Sequence, residues 1–303
     1  MNRPLLTLII LSLLTGLMSA PSAARPLDAA GRQSSLLWRV VSPAGAVSHV
    51  FGTIHIADTL VFRQRDTVLQ VLDSSRTYAS ELNLDSVMNQ LSPKALMLES
   101  GTLYDLFDSA SVEAVCQRLG RVNTMFATAC PRLKPGAIMM IVAMGEVQRT
   151  APTSIDEFLW ARAKKRRLQR TGLETIAEQL SIIDSMPAGY VLEQLTDTAQ
   201  MSGQLDRMRR LYAQEDLDGL ESYAAEHGGM DDATMQMVND NRNIRMVGRM
   251  EAMLRQGGAF IAIGALHLTG RASVLDLLSS RGYRVEPVTG GRRTSWLAPA
   301  QRE

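Results

Sequence analysis

Two stretches of this chain share one plan, and together they restrict the fold more than anything else in it. His49-Val50-Phe51-Gly52-Thr53-Ile54-His55 and, far downstream, Phe260-Ile261-Ala262-Ile263-Gly264-Ala265-Leu266-His267 are apolar runs that end in Gly-x-x-His. Each reads as a buried strand that stops at a glycine and presents a histidine just past its end. The chain has four histidines, and two of them occupy this same setting. A glycine at a strand end permits an unusual backbone turn and a close approach. A histidine there serves as a metal ligand or a general base. Ligands of open α/β sheets bind beyond the carboxyl ends of the strands. His55 and His267 are therefore expected to converge on one site.

The flanking sequence repeats around both runs. Residues 36–41 and 46–53 read as two strands joined by the turn Ser42-Pro43-Ala44-Gly45, a hairpin. Residues 60–72 carry a helical period, and Thr77-Tyr78-Ala79-Ser80-Glu81-Leu82 reads as the next strand. After His267 come a helix from Ser273, a stop at Arg281-Gly282 and a strand over 283–288. The expected fold is α/β, with a central mixed sheet built from two β-(GxxH)-α-β units. Strands joined by a crossover helix are expected to pair side by side. Between the units, about 86–255, the chain reads as a large, mainly helical insertion covering the sheet edge and shaping a cleft. Helical periods run over 96–106, 112–119, 136–147, 155–163, 190–212, 217–225 and 243–256, with a short strand at 168–173. Ser154-x-x-Glu157 is a capping box, and His227-Gly228-Gly229 reads as a helix stop. From Thr289 onward the sequence reads as a polar, frayed tail.

Residues 1–24 read as a secretory signal peptide: Arg3, an apolar run over 5–18, then Ser22-Ala23-Ala24. The apolar run is too short to span a bilayer, and no later one is long enough. The remainder, 25–303, is expected to be a single exported domain, periplasmic or secreted from a bacterium, with no stable membrane insertion. An even pair of cysteines, Cys116 and Cys130, in such a chain favours a disulfide. Closing that loop stabilises by about 3 kcal/mol in the chain-entropy view. Net charge is +1, and nothing points to a nucleic-acid partner. There is no G-x-S-x-G, H-E-x-x-H or phosphate-binding glycine loop.

Two histidines and a carboxylate are a common ligand set for a divalent ion with open positions. Glu81, at the end of its strand, is the leading carboxylate, as a metal ligand or as the base acting on a metal-bound water. Asp58 and Asp85 rank below it; Asp58 reads equally as the N-cap of the next helix, and Asp85 as an outer partner of Glu81. Glu174 follows an apparent strand and is a candidate proton carrier, with Glu178 and Gln179 behind it in a helix start. Arg242, of the Arg242-Asn243 pair, is a candidate for holding a substrate carboxylate or an oxyanion, or for a structural ion pair. His49 precedes His55 by too far to join it. Lys164-Lys165-Arg166-Arg167 closes a helix, where positive charge complements the dipole, and the seventeen methionines sit at core-like positions.

Taken in order, Trp38-Arg39-Val40, Phe51-Gly52-Thr53-Ile54-His55, Ser80-Glu81-Leu82, Gly172-Leu173-Glu174-Thr175 with Glu178-Gln179-Leu180, Asn241-Arg242-Asn243, Ala262 to Gly270, and Gly282-Tyr283-x-Val285 resemble the TraB/PrgY/GumN family. The likeness covers nearly the whole chain after the leader and is nearest to its exported GumN-like branch. The resemblance implies an EreA/ChaN-like fold and a kinship with Tiki-type peptidases. It implies a metal centre of His55, Glu81 and His267 with Arg242 nearby, and metal-dependent peptide hydrolysis on a peptide or protein substrate. Manganese or cobalt is the ion it implies; ligand type alone also admits zinc or iron. One departure concerns the pocket: Pro135 is followed by Gly136 where the family often has tryptophan. The alternative on the same fold is a non-catalytic metal- or haem-binding periplasmic protein. A third reading is a partner-binding or inhibitory protein.

Overall fold

In a computed structural model of the chain, residues 35–86, 93–122, 124–146, 151–186, 188–196, 198–227, 236–270 and 272–297 are described. Residues 1–34, the leader among them, lie outside them. The strands are β1 (Leu37–Val41), β2 (Val47–Thr53), β3 (Arg63–Arg65), β4 (Thr77–Leu82), β5 (Gln169–Glu174), β6 (Ala259–Gly264), β7 (Arg284–Pro287) and β8 (Arg293–Ser295). The helices are α1 (Asp66–Ser74), α2 (Ser109–Val122), α3 (Thr124–Ala129), α4 (Pro135–Glu146), α5 (Ile155–Lys165), α6 (Ile176–Asp184), α7 (Ala188–Thr196), α8 (Thr198–Ala213), α9 (Leu217–His227), α10 (Asn241–Gln256) and α11 (Val274–Ser280).

Six strands form one mixed sheet in the order β5-β4-β6-β2-β1-β7. The β1–β2 hairpin is present, and β1 runs antiparallel to both neighbours. The strands β2, β6, β4 and β5 are mutually parallel. The sheet is therefore of the expected α/β mixed kind, but the two units do not pair within themselves. Strand β6 lies between β2 and β4, and β7 leaves its unit to pair with β1. The reason is burial. Every position of Ala259–Gly264 is buried, and a strand buried on both faces takes the middle of a parallel sheet. Tyr78 and Phe260 stack across the β4–β6 pair with ring centroids 6.1 Å apart, and Phe51 meets Phe260 across β2–β6 at 6.2 Å.

Two apolar cores result. The larger one joins the sheet to α5, α8, α10 and α11. The smaller one is made by α2, α4, α6 and α7 with Leu82 at the end of β4. Met139, Met140 and Met186 pack in the second, and Met208, Met246 and Met250 in the first. The Cys116–Cys130 disulfide ties α2 to the turn before α4, with Cα atoms 5.5 Å apart.

Four local expectations change. Residues 96–106 are not a helix: Met97 bridges Leu133, Gly101 has φ +71°, and a new capped turn starts at Thr102. The helix expected over 60–72 begins only at Asp66, because Arg63–Arg65 pairs as β3 with β8. The tail is anchored through residue 297 rather than frayed; residues 298–303 lie outside the described part. Trp296 is buried against Phe51 and Phe158, with ring centroids 6.0 and 5.8 Å apart, and its backbone N–H donates to Phe62 O. Trp296→Ala is expected to destabilise by about 3 kcal/mol, read as a lower urea midpoint at unchanged slope. The segment 190–212 is two helices, α7 and α8.

Candidate functional site

The four parallel strands end on one edge of the sheet, and their ends supply four polar side chains. β2 leads to His55, β4 carries Glu81, β5 ends in Glu174, and β6 runs into the short turn Ala265–Leu268 that carries His267. Glu81 is the centre of the group. Its Oε1 accepts the Gly264 N–H at 2.7 Å and lies 3.8 Å from His55 Nε2 and 3.6 Å from His267 Nε2. Its Oε2 accepts from Arg242 Nη2 at 2.8 Å and from Gln179 Nε2 at 3.3 Å.

The glycines of the two Gly-x-x-His runs act through space, not through an unusual backbone. Gly264 has φ −51° and ψ 136°, open to any residue, but a Cβ on it would lie 3.2 Å from Glu81 Oε1. A Cβ on Gly52 would lie 2.9 Å from Leu268 Cδ1, where the turn bearing His267 packs against β2. The Gly52 carbonyl also accepts the Tyr212 hydroxyl at 2.9 Å.

Each histidine is held from behind by a side chain in the first turn of a helix. His55 Nδ1 lies 2.7 Å from Asp156 Oδ2, in α5. The other oxygen of Asp156 accepts from Thr53 Oγ1 at 2.7 Å. His267 Nδ1 lies 2.6 Å from Asn243 Oδ1, in α10, while Asn243 Nδ2 donates to Ala272 O at 2.8 Å. Both Nδ1 atoms therefore face acceptors and donate to them, and both Nε2 atoms point toward Glu81.

Beneath Glu81 is a buried ion cluster. Arg242 Nε and Nη2 donate to Glu174, the shortest contact being 2.6 Å, and Nη2 also reaches Glu81. Gln179 bridges the two carboxylates, donating to Glu174 Oε2 at 3.1 Å. The Arg242 side chain is 3% exposed and that of Glu174 fully buried. Burial alone raises a carboxyl pKa, yet Arg242 and the two imidazoles hold Glu81 well below the usual range. Burial likewise opposes the Arg242 charge, and Glu81 and Glu174 overcome it. The two histidines diverge. Burial lowers both, but at His55 the carboxylates of Asp156 and Glu81 prevail and lift it to about 10. At His267, burial and the nearby Arg242 push it down to about 4.

Among the described residues, no three His, Cys, Asp or Glu side chains form a preassembled metal cage. The donor chemistry at Glu81 nonetheless suits a divalent ion. Two imidazole Nε2 atoms with their Nδ1 protons already committed face one carboxylate oxygen. The Nε2···Oε1 separations of 3.6 and 3.8 Å are close to the donor–donor edge, about 3.3–3.6 Å, of a tetrahedron with metal–donor bonds of about 2.0–2.2 Å.

All of these residues fall inside residues 36–287, the span matched by the sequence profile of the TraB/PrgY/gumN family. The chain belongs to the TraB/PrgY/gumN family. A curated relative, Metalloprotease TIKI1 of Danio rerio, is 23% identical over 339 residues, spanning 91% of this chain and 68% of the relative. No solved structure matches the chain.

In this TraB/PrgY/gumN chain, His55, Glu81, Glu174, Arg242 and His267 come together, from segments far apart in sequence. Asp58 and Asp85 stand elsewhere. Asp58 caps the Leu60 N–H and pairs with Arg209, and Asp85 binds Trp160, Lys164 and Arg170. His49 pairs in register with Phe260 within the sheet, before the strand end. Glu178 closes a capping box with Thr175 and pairs with Arg249, which hold its pKa down at about 2. The basic run does close α5, with Lys164 on Asp85 and Arg166 on Asp73. Sequence reasoning gave no role to Asp156 and no specific one to Gln179 or Asn243. Each lies in the first turns of a helix beside a residue that did draw notice: Glu157, Glu178 and Arg242. No local signal says which acid or amide of a first turn points into a site.

Proposed function

We propose that this family member is an exported, divalent-metal-dependent hydrolase of peptide bonds. The observation that carries the reading is the approach of both Gly-x-x-His imidazoles, Nε2 first, to one oxygen of an ionised glutamate. On this reading His55, His267 and Glu81 hold the ion, with manganese or cobalt foremost and zinc or iron(II) allowed by the same donors. A bound divalent ion supplies Lewis acidity and a water that ionises near neutral pH. The chain's own part is to aim and charge those donors. Asp156 and Asn243 fix the imidazole tautomers. Gly264 N–H and Arg242 hold the two oxygens of Glu81, so that Oε1 alone is turned to the histidines. Sequence suggested that Arg242 clamps a substrate carboxylate and that Glu174 carries protons. Their mutual engagement beneath Glu81 favours a positioning role for both.

The peptide substrate rests on the relative's name as a metalloprotease. Export, to a bacterial periplasm or medium, rests on the leader over 1–24 and on the disulfide. Among the described residues no helix is long and apolar enough to cross a membrane. A haem between the two histidines would have to displace the Glu81 carboxylate from Arg242, Gln179 and Gly264, which disfavours that alternative.

Calorimetric titration of metal-stripped protein with manganese, cobalt and zinc tests the proposal. Stoichiometric binding is expected in the wild type and its loss in His55→Ala/His267→Ala. Equal binding in both would overturn the metal centre. A peptide-library screen on the loaded protein then separates a hydrolase from a metal-binding protein without turnover.

A further inference from the structure

We infer that Asp156 is a positioning residue of the site: its carboxylate holds His55 in one tautomer and orientation and strengthens it as a donor. The inference rests on the metal-centre reading above for its affinity consequence, and on geometry alone for its tautomer consequence.

The carboxylate is attached at both ends. Oδ2 faces His55 Nδ1 at 2.7 Å, and Oδ1 accepts from Thr53 Oγ1 at 2.7 Å. Thr53 is the last residue of β2 and is buried, pairing with Gly264 of β6. Asp156 therefore spans from the helix α5 to the sheet edge and fixes His55, two residues beyond Thr53, relative to the strand end.

An acid in the first turn of a helix normally serves the helix itself, through the free N–H groups and the dipole. In α5 that task is already filled. Ser154 Oγ accepts the Glu157 N–H, and Glu157 Oε2 accepts the Ser154 N–H at 2.9 Å and the Thr153 hydroxyl at 2.6 Å. Asp156 makes its bonds sideways, to β2 and His55. Behind a histidine donor, such a carboxylate sets which nitrogen is protonated and raises the basicity of the other. The second histidine has the same arrangement in a neutral version, Asn243 at His267 Nδ1. One imidazole is thus backed by an anion and the other by an amide, so the two are unequal donors.

Asp156→Ala, Asp156→Asn and Thr53→Val in the otherwise intact protein test this. Three readouts apply: manganese, cobalt or zinc affinity after stripping, the His55 imidazole nitrogen chemical shifts followed as the ring titrates, which report the nitrogen that keeps its proton and hence the tautomer, and thermal unfolding. Asp156→Ala is expected to weaken metal affinity about 10–100-fold and to leave His55 in mixed tautomers. Asp156→Asn should recover most of the affinity, since its Oδ1 can accept from Nδ1 as Asn243 does. Thr53→Val, which frees one end of the carboxylate, should give a smaller loss in the same direction, and it keeps the test open if Asp156→Ala does not fold. Unchanged affinity and an unchanged His55 tautomer in Asp156→Ala, with only the melting temperature lowered, would overturn the inference. His55→Ala runs in parallel. If it too keeps full affinity, the metal centre is wrong, and the tautomer shifts still decide whether Asp156 positions the ring.

Discussion

Replacing Arg242 with methionine is expected to destabilise this protein by about 3–5 kcal/mol at neutral pH, measured as the shift in denaturant midpoint. Methionine fills much of the volume of the arginine stem, so the loss is not mainly one of packing. The guanidinium is nearly inaccessible and is shared by Glu81 and Glu174, themselves buried. Without it, two carboxylates stand together in a poorly solvated cluster with only Gln179 between them. The deficit should narrow on acidification. In the wild type, burial acts to raise the Glu81 pKa and Arg242, with the histidines, overrides it, so the folded value lies below the unfolded one. Its contribution is then full above the unfolded carboxyl range and is lost as pH falls through the depressed folded value. In Arg242→Met, burial and like charge prevail and raise the carboxyl values. Protonation then relieves the penalty as pH drops below them, while the wild type still retains its benefit. A variant whose deficit stays constant between pH 7 and pH 5, or grows, would show that Arg242 acts through packing instead.

If the proposed peptide hydrolysis holds, Glu81→Gln is expected to lower it by at least about a hundredfold while the chain still folds. The substitution keeps the shape and removes the charge that both imidazoles face. It also sets a donor against a donor. If the amide oxygen stays on Gly264 N–H, the new NH2 faces Arg242 and Gln179; if the amide turns over, the NH2 meets Gly264 N–H. A stability loss of about 1–3 kcal/mol should accompany it. Metal titration of this variant separates two roles. Affinity that falls with activity marks Glu81 as a ligand, and intact affinity with lost turnover marks it as the base acting on bound water. Activity that survives the substitution would remove Glu81 from the chemistry.

Much of this arrangement is local and was legible in the chain. Apolar runs ending in Gly-x-x-His made β2 and β6 and set both histidines at strand ends. The short strands ending near Glu81 and Glu174 were readable because a strand announces itself by residue type and by what stops it. The capping box at Ser154 and the basic run at 164–167 bounded α5 for the same reason. The cysteine pair closed as its even count suggested. Where the reading failed, a distant partner had decided the conformation. Arg63–Arg65 is a strand because β8 pairs with it. The polar tail is anchored because Trp296 reaches Phe51 and Phe158.

The sequence by itself determined which residues end strands, and the repeated Gly-x-x-His plan pointed to His55 and His267 converging at one edge of the sheet with Glu81 as the leading carboxylate. Only the tertiary structure decided their order, with β6 between β2 and β4, since strand order follows from which run buries both faces and not from order in the chain. It also decided the supporting set. Asp156, Gln179 and Asn243 sit in the first turns of helices, where acids and amides are common for capping reasons alone. Which of them turns toward the site depends on the angle at which each helix meets the sheet, and that angle is set by core packing between segments remote in sequence.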